Sequence, residues 1–263
     1  MGTKSFFLVL AVMACFGRFS LFSDTTINDK IINFGDYTTS NWRSSDFKGS
    51  ASRQWDPSGK SFCFDWNTES GDQIGRMGVT FGSRYLGAKI DEMPSNCIMS
   101  TACTFSPTTN HWFYWAIYGW TNGTYTYWGN TPSGWNNEFY IIFHTDRPTA
   151  DFVTDKGVVA IGSVDVDRVT FDCFRTPRSN QSQWFAVTRS KTWNASVNLK
   201  KIFDYWRSKG LANESIVDLG WAVEGFIGSA GKLQLTNVTI PNLSSSSNAT
   251  KETPSSGHQE PVK

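Results

Sequence analysis

The chain reads as an all-β sandwich carrying one helix, and three observations predict it. Short apolar and aromatic runs alternate with clusters of Gly, Pro, Asn, Asp and Ser up to about residue 190, which is the punctuation of short strands and turns. Helical spacing occurs in a single segment. Once the two ends are set aside, roughly 215 residues remain, enough for one large sandwich with a substantial core. So many strands around one helix argue against alternating βαβ units and suit a jelly roll.

The chain begins with Lys4 and an apolar run from Phe6 to Phe16, turning polar at Ser23-Asp24-Thr25-Thr26. Such a run is too short to span a membrane and has the form of a secretory leader. We assign it to residues 1–23, with cleavage after Gly17 or Ser23, and expect an extracellular protein with no membrane contact once the leader is removed. One domain follows over residues 24–241. Residues 242–263 are rich in Ser, Thr and Pro and lack a hydrophobic period, so a disordered tail is expected there.

Strands are expected over Phe62 to Trp66, Trp112 to Trp120, Glu138 to His144, Val158 to Val164, Val169 to Thr176, Gln183 to Arg189, Leu219 to Ile227 and Leu233 to Ile240. Val197, Leu199, Ile202, Phe203 and Trp206 recur at helical spacing, with Lys200, Lys201, Asp204 and Arg207 on the other side. This predicts an amphipathic helix capped by Asn194 or Ser196 and closed by Gly210. Gly228-Ser229-Ala230-Gly231 reads as a hairpin turn.

Two glutamates interrupt aromatic strand runs. Period 2 places Phe139, Ile141 and Phe143 on one face and Glu138 and Tyr140 on the other; in the same way Trp221, Val223 and Ile227 oppose Glu224. In the run from Trp112, the residues Trp112, Tyr114, Ala116, Tyr118 and Trp120 share a face opposite Phe113, Trp115 and Ile117. A carboxylate pair among aromatics, backed by a core, suits glycoside hydrolysis, which uses two carboxyl groups flanking one bond, and flat aromatic faces suit pyranose rings.

Net charge is +1 without a basic stripe, so nucleic acid is not an expected partner. His111, His144 and His258 are too scattered for a metal site or a triad, and no cofactor is expected. In an exported chain Cys63, Cys97, Cys103 and Cys173 permit disulfides in three pairings; a local Cys97–Cys103 bridge would leave Cys63 and Cys173 to join two strands. Sequons at Asn122, Asn180, Asn194, Asn213, Asn237, Asn242 and Asn248 suggest a glycosylated secreted protein.

From Tyr37 to Ile240 the chain resembles glycoside hydrolase family 11, the small jelly-roll endo-β-1,4-xylanases. Tyr118-Gly119-Trp120 leading to Glu138-Phe139-Tyr140-Ile141-Ile142 is similar to the family's nucleophile strand, and Ala222-Val223-Glu224-Gly225-Phe226 to its acid/base strand. The resemblance implies a sandwich of two twisted antiparallel sheets with a single α-helix and a concave substrate cleft. It implies Glu138 as nucleophile and Glu224 as acid/base, with Tyr118 and Tyr140 holding the sugar and the nucleophile. Arg178 and Gln183 match residues on the thumb strands, Trp42 a sugar-stacking tryptophan, and Asp72 the residue beside the acid/base.

Departures are also legible. Only four residues, Ser179 to Ser182, separate Arg178 from Gln183 where the family carries a longer thumb; Thr121 to Asn137 is a longer connection than usual, and Asp218 stands where a tyrosine is usual. The implied activity is a monomeric, secreted, retaining endo-β-1,4-xylanase acting on xylan. The alternatives are a non-catalytic polysaccharide-binding sandwich and a retaining hydrolase of another β-1,4-glycan.

Overall fold

The computed structural model describes residues 22–24, 32–56, 58–80, 86–107, 112–121, 137–146, 157–177 and 182–244. Two sheets face each other. In spatial order the six-stranded sheet contains β1 (Phe22–Asp24), β4 (Lys48–Trp55), β5 (Ser61–Ser70), β15 (Ala230–Thr239), β7 (Ile98–Pro107) and β13 (Ala195–Asn198). The nine-stranded sheet contains β10 (Val159–Val166), β11 (Val169–Pro177), β12 (Ser182–Thr188), β9 (Asn137–Thr145), β8 (Phe113–Thr121), β14 (Ile216–Phe226), β6 (Asp72–Thr80), β3 (Tyr37–Arg43) and β2 (Ile32–Phe34). All named pairings are antiparallel except β9 with β12, which run parallel.

Period 2 sorts the side chains as expected. Phe113, Trp115 and Ile117 of β8, Phe139, Ile141 and Phe143 of β9, and Leu219, Trp221 and Val223 of β14 fill the space between the sheets against Phe62, Phe64 and Trp66 of β5. Trp115 stacks on Trp221 at 5.2 Å between ring centroids. Each buried side chain of this size stabilises the fold by about 1.5–3 kcal/mol through removal of apolar surface from water. Ile227 lies beyond β14 and is exposed, so it does not join the core side.

The helix α1 (Leu199–Ser208) buries Leu199, Ile202, Phe203 and Trp206. Phe203 meets Phe139 edge-on at 5.0 Å, and Trp206 lies 6.2 Å from Trp184. The helix therefore braces β9 and β12 from the core side. Its start differs from the expectation, because Val197 belongs to β13 and the N-cap is Asn198 rather than Asn194 or Ser196. The residue just before β7 satisfies the first helical N–H, since Leu199 N donates to Cys97 O at 2.8 Å. At the other end Gly210 adopts φ +105° as expected of a helix stop.

Two further expectations are corrected. Residues 227–229 do not close a hairpin, since β14 and β15 lie in different sheets. They form a corner, in which Gly228 N donates to Thr68 O and Thr68 N to Ser229 O. The ordered body also extends past residue 241: Leu243 is buried and its carbonyl accepts from Ala88 N at 2.7 Å. The leader through residue 21 and the rest of the tail from residue 245 lie outside the described residues, and no helix among the described residues is long and apolar enough to cross a membrane.

The four described cysteines are unbridged. Cys97 and Cys103 are separated by six residues of extended chain, roughly 20 Å at a strand's rise, against a bridge's Cα limit of about 7 Å. Cys63 alternates with Phe62 and Phe64 and so faces outward on β5, whereas Cys173 lies in the core between the sheets. Both halves of the expected pairing are ruled out by strand geometry.

Candidate active site

The face of the nine-stranded sheet turned away from the core carries the candidate chemistry. Across β12, β9, β8 and β14, one row of cross-strand neighbours reads Gln183, Glu138, Trp120 and Asp218. A second row, across β3, β6, β14 and β8, reads Trp42, Ile74, Glu224 and Tyr114. Between them lie Tyr140 and Tyr118, directly paired. Glu138 and Glu224 therefore share one face on strands separated only by β8, as their alternation in the sequence predicts.

Glu138 is 6 % exposed and is held by three donors. Tyr118 Oη donates to Oε1 at 3.0 Å, Tyr140 Oη donates to the same oxygen at 3.2 Å, and Gln183 Nε2 donates to Oε2. Trp120 Nε1 in turn donates to Tyr118 Oη at 2.8 Å, making a relay from Trp120 through Tyr118 to the carboxylate. Burial holds the hydroxyls of both tyrosines well above their ordinary pKa, with Glu138 and Glu224 both adding to the effect. The tyrosines stay protonated and donate, which suits an ionised acceptor at Glu138.

Glu224 is 7 % exposed. Asp72 opens β6 opposite Phe226, on the face of Glu224 and one rung beyond the Ile74–Glu224 pair, with its backbone tied to Ser44. Trp42 stands on that face and packs against the aromatic cluster beneath it. Arg178 lies outside the described residues. The ladder of β11 and β12 continues to Pro177–Ser182, so their connection is only residues 178–181, in keeping with a shortened thumb.

Residues 122–136, the long connection between β8 and β9, also lie outside the described residues. Its base is fixed by Glu214, whose Oε2 accepts from Thr121 Oγ1 at 2.5 Å and Asn137 Nδ2 at 2.8 Å. Sequence reasoning missed Glu214, because nothing local marks a residue whose partners lie 93 and 77 positions away. It placed Trp120 on the correct face but not in the relay. No cluster of potential metal ligands occurs among the described residues.

A family model described as glycosyl hydrolases family 11 matches residues 35–236. The chain belongs to glycosyl hydrolases family 11. Endo-1,4-beta-xylanase 11A of Humicola insolens is 26% identical over 118 residues, 40% of this chain and 47% of that protein. Ethylene-inducing xylanase 1 of Verticillium dahliae is 26% identical over 190 residues, 66% of this chain and 69% of that protein. The chain thus spans about half the length of the first of these relatives. Among solved structures, the family 11 xylanase from Neocallimastix patriciarum superposes with a TM-score of 0.62 at 20% identity, covering 84% of this chain and 98% of that one. At that identity the likeness establishes the family 11 jelly-roll fold, and the site rests on the residues above.

Proposed function

We propose that this family 11 protein is an endo-β-1,4-xylanase that cleaves internal xylan linkages with retention of configuration. The observation that carries the reading is the triply donated carboxylate of Glu138, set on the same face as Glu224. An ionised, oriented Glu138 is suited to attack the anomeric carbon while Glu224 gives its proton to the departing glycosidic oxygen. That step breaks the C–O bond and leaves a glycosyl ester on Glu138. Glu224, now a carboxylate, takes a proton from water as the water oxygen attacks the same carbon and frees Glu138. Tyr118, Tyr140 and Gln183 position the nucleophile, Trp42 offers a stacking face to a sugar, and Asp72 stands on the face of Glu224.

We further propose that the protein is exported as a monomer behind a leader. The pairing of Phe22–Asp24 with β4 supports cleavage after Gly17 rather than after Ser23. The short β11–β12 connection favours one second reading, a polysaccharide-binding sandwich without turnover, because little thumb is available to cover a substrate.

The test is reducing-sugar release from xylan, cellulose and mixed-linkage glucan, together with proton NMR of the first products. Release from xylan with the β-anomer appearing before mutarotation is expected, and Glu138→Gln should abolish it. An initial α-anomer would overturn retention. Turnover of another glycan alone would move the substrate assignment, and binding without any turnover would select the second reading.

A further inference from the structure

Glu138 and Gln183 meet across a parallel rung, and a parallel pair cannot take its register from a tight turn. Hydrophobic patterning sets that register weakly here, because β12 is apolar on both faces: Trp184 and Ala186 belong to the core between the sheets, whereas Phe185 and Val187 join the aromatic cluster on the opposite side. A slip of two residues would keep every side chain on its own face and still carry Gln183 about 7 Å along β9 from Glu138. Something other than apolar burial must hold the rung.

The residues next to the pair supply it. Asn137 precedes Glu138 and Trp184 follows Gln183, so both turn to the core side of the sheet. Trp184 Nε1 donates to Asn137 Oδ1 at 2.8 Å, and Asn137 Nδ2 donates to Glu214 Oε2 at 2.8 Å. An indole N–H can only donate and a carboxylate can only accept, so the amide between them has one orientation. Glu214 is itself anchored. Its carbonyl accepts from Ile90 N at 3.0 Å, Asn213 exchanges bonds with Asp91, and Ser215 bridges to Lys89. Thr121, paired with Asn137 across β8 and β9, donates to the same carboxylate oxygen. The dipeptides Asn137-Glu138 and Gln183-Trp184 are therefore joined on both faces of the sheet, by Gln183 on the face of Glu138 and by Asn137 on the core side.

We propose that Glu214 and Asn137 are positioning residues for Glu138. Their clamp fixes the β9–β12 register on the core side and so delivers Gln183 Nε2 to Glu138 Oε2 on the other. A carboxylate that has lost one of its three donors samples orientations away from the anomeric carbon, and small displacements of a reacting group cost rate. Asn137 turns away from the face of Glu138, so the clamp acts through the carboxylate rather than on the sugar. The inference rests on the reading of Glu138 as the nucleophile of xylan cleavage.

The test compares xylan turnover by the full chain carrying Glu214→Leu with that by the wild type. Both kcat and kcat/KM should fall together, by about tenfold, and Glu214→Gln, which keeps an oxygen able to accept both bonds, should escape most of the loss. In a Gln183→Leu background Glu214→Leu should change kcat by no more than about twofold, because its route to Glu138 is already cut. A full tenfold loss in that background overturns the proposal, and so does a lowered melting temperature at unchanged kcat. Solvent exchange of the Gln183 side-chain amide protons, followed by heteronuclear NMR, gives a readout free of turnover. Glu214→Leu should speed it about tenfold, and equal rates overturn the clamp. Should Glu214→Leu not fold, Trp184→Phe removes the N–H at the other end of the amide and is read in the same two ways, with the same results expected and the same results overturning the proposal. Absence of xylan turnover by the wild type removes the reading of Glu138 as nucleophile; faster exchange in the variant then still supports the clamp, whereas equal exchange removes both.

Discussion

Tyr118 and Tyr140 donate to the same oxygen of Glu138, yet replacing them by phenylalanine should have unequal consequences. Each substitution removes one hydrogen bond to a charged acceptor, worth about 1.5–3 kcal/mol. Tyr118 also accepts from Trp120 Nε1 at 2.8 Å, and phenylalanine removes that acceptor as well, adding about 1 kcal/mol. Tyr118→Phe should therefore lower unfolding stability by about 3 kcal/mol and Tyr140→Phe by about 2 kcal/mol. Urea denaturation at neutral pH measures both, and unchanged m-values would confirm that the same native and denatured states are compared. In the background of Glu138→Leu the two substitutions should lose most of their effect except for the Trp120 share, which only Tyr118→Phe retains. Equal losses in the two variants, or a larger loss for Tyr140→Phe, would refute the relay from Trp120 to the carboxylate.

Asp72→Asn should leave the fold intact, because Ser44 holds the backbone of Asp72 at the start of β6, and an unchanged urea midpoint checks this. His144 is stacked on Trp193 at 3.8 Å, and burial, aided by Lys191 and opposed by Asp146, lowers its pKa to about 4. The unfolded chain binds that proton near pH 6.5 and the folded chain does not, so stability is full above about pH 6.5 and falls as the pH drops toward 4. The loss from this one group should reach about 2 kcal/mol after allowance for solvent screening, and His144→Phe should flatten that part of a urea-midpoint profile. A thiol reagent should label Cys63 first in the native protein, because Cys97, Cys103 and Cys173 are buried with pKa raised to about 12. All four should react after unreduced denaturation, and fewer would indicate a bridge.

The strands that carry large aromatics were legible because one face of each fills a thick core, which forces strict alternation. β4, with Lys48-Gly49-Ser50-Ala51-Ser52-Arg53-Gln54 before Trp55, and β3, with Tyr37-Thr38-Thr39-Ser40-Asn41, were not. Their small polar residues mimic turn composition, and only cross-strand pairing makes them strands. The same contrast runs through the site. Glu138, Glu224, Tyr118 and Tyr140 could be assigned to one face by counting, since parity along a strand is a local property. Gln183 came from the resemblance, and its bond to Glu138 depends on a parallel rung that no local pattern encodes. The tie of Asn137 to Trp184 was invisible for the same reason, its ends lying 47 positions apart.

The parallel junction of β9 with β12 has a consequence for how this site comes into being. A parallel neighbour cannot arrive by a tight turn, so Gln183 reaches Glu138 only after β10 and β11 have been laid down and the chain has doubled back. β14, carrying Glu224, inserts on the other side of β8 later still in the sequence. A chain emerging from synthesis thus holds Glu138 early, but without its full set of donors and without Glu224. Pairings this distant along the chain form slowly, so competence should be among the last properties acquired during maturation. A truncated product ending before β14 would retain every aromatic of β8 and β9 and lack Glu224.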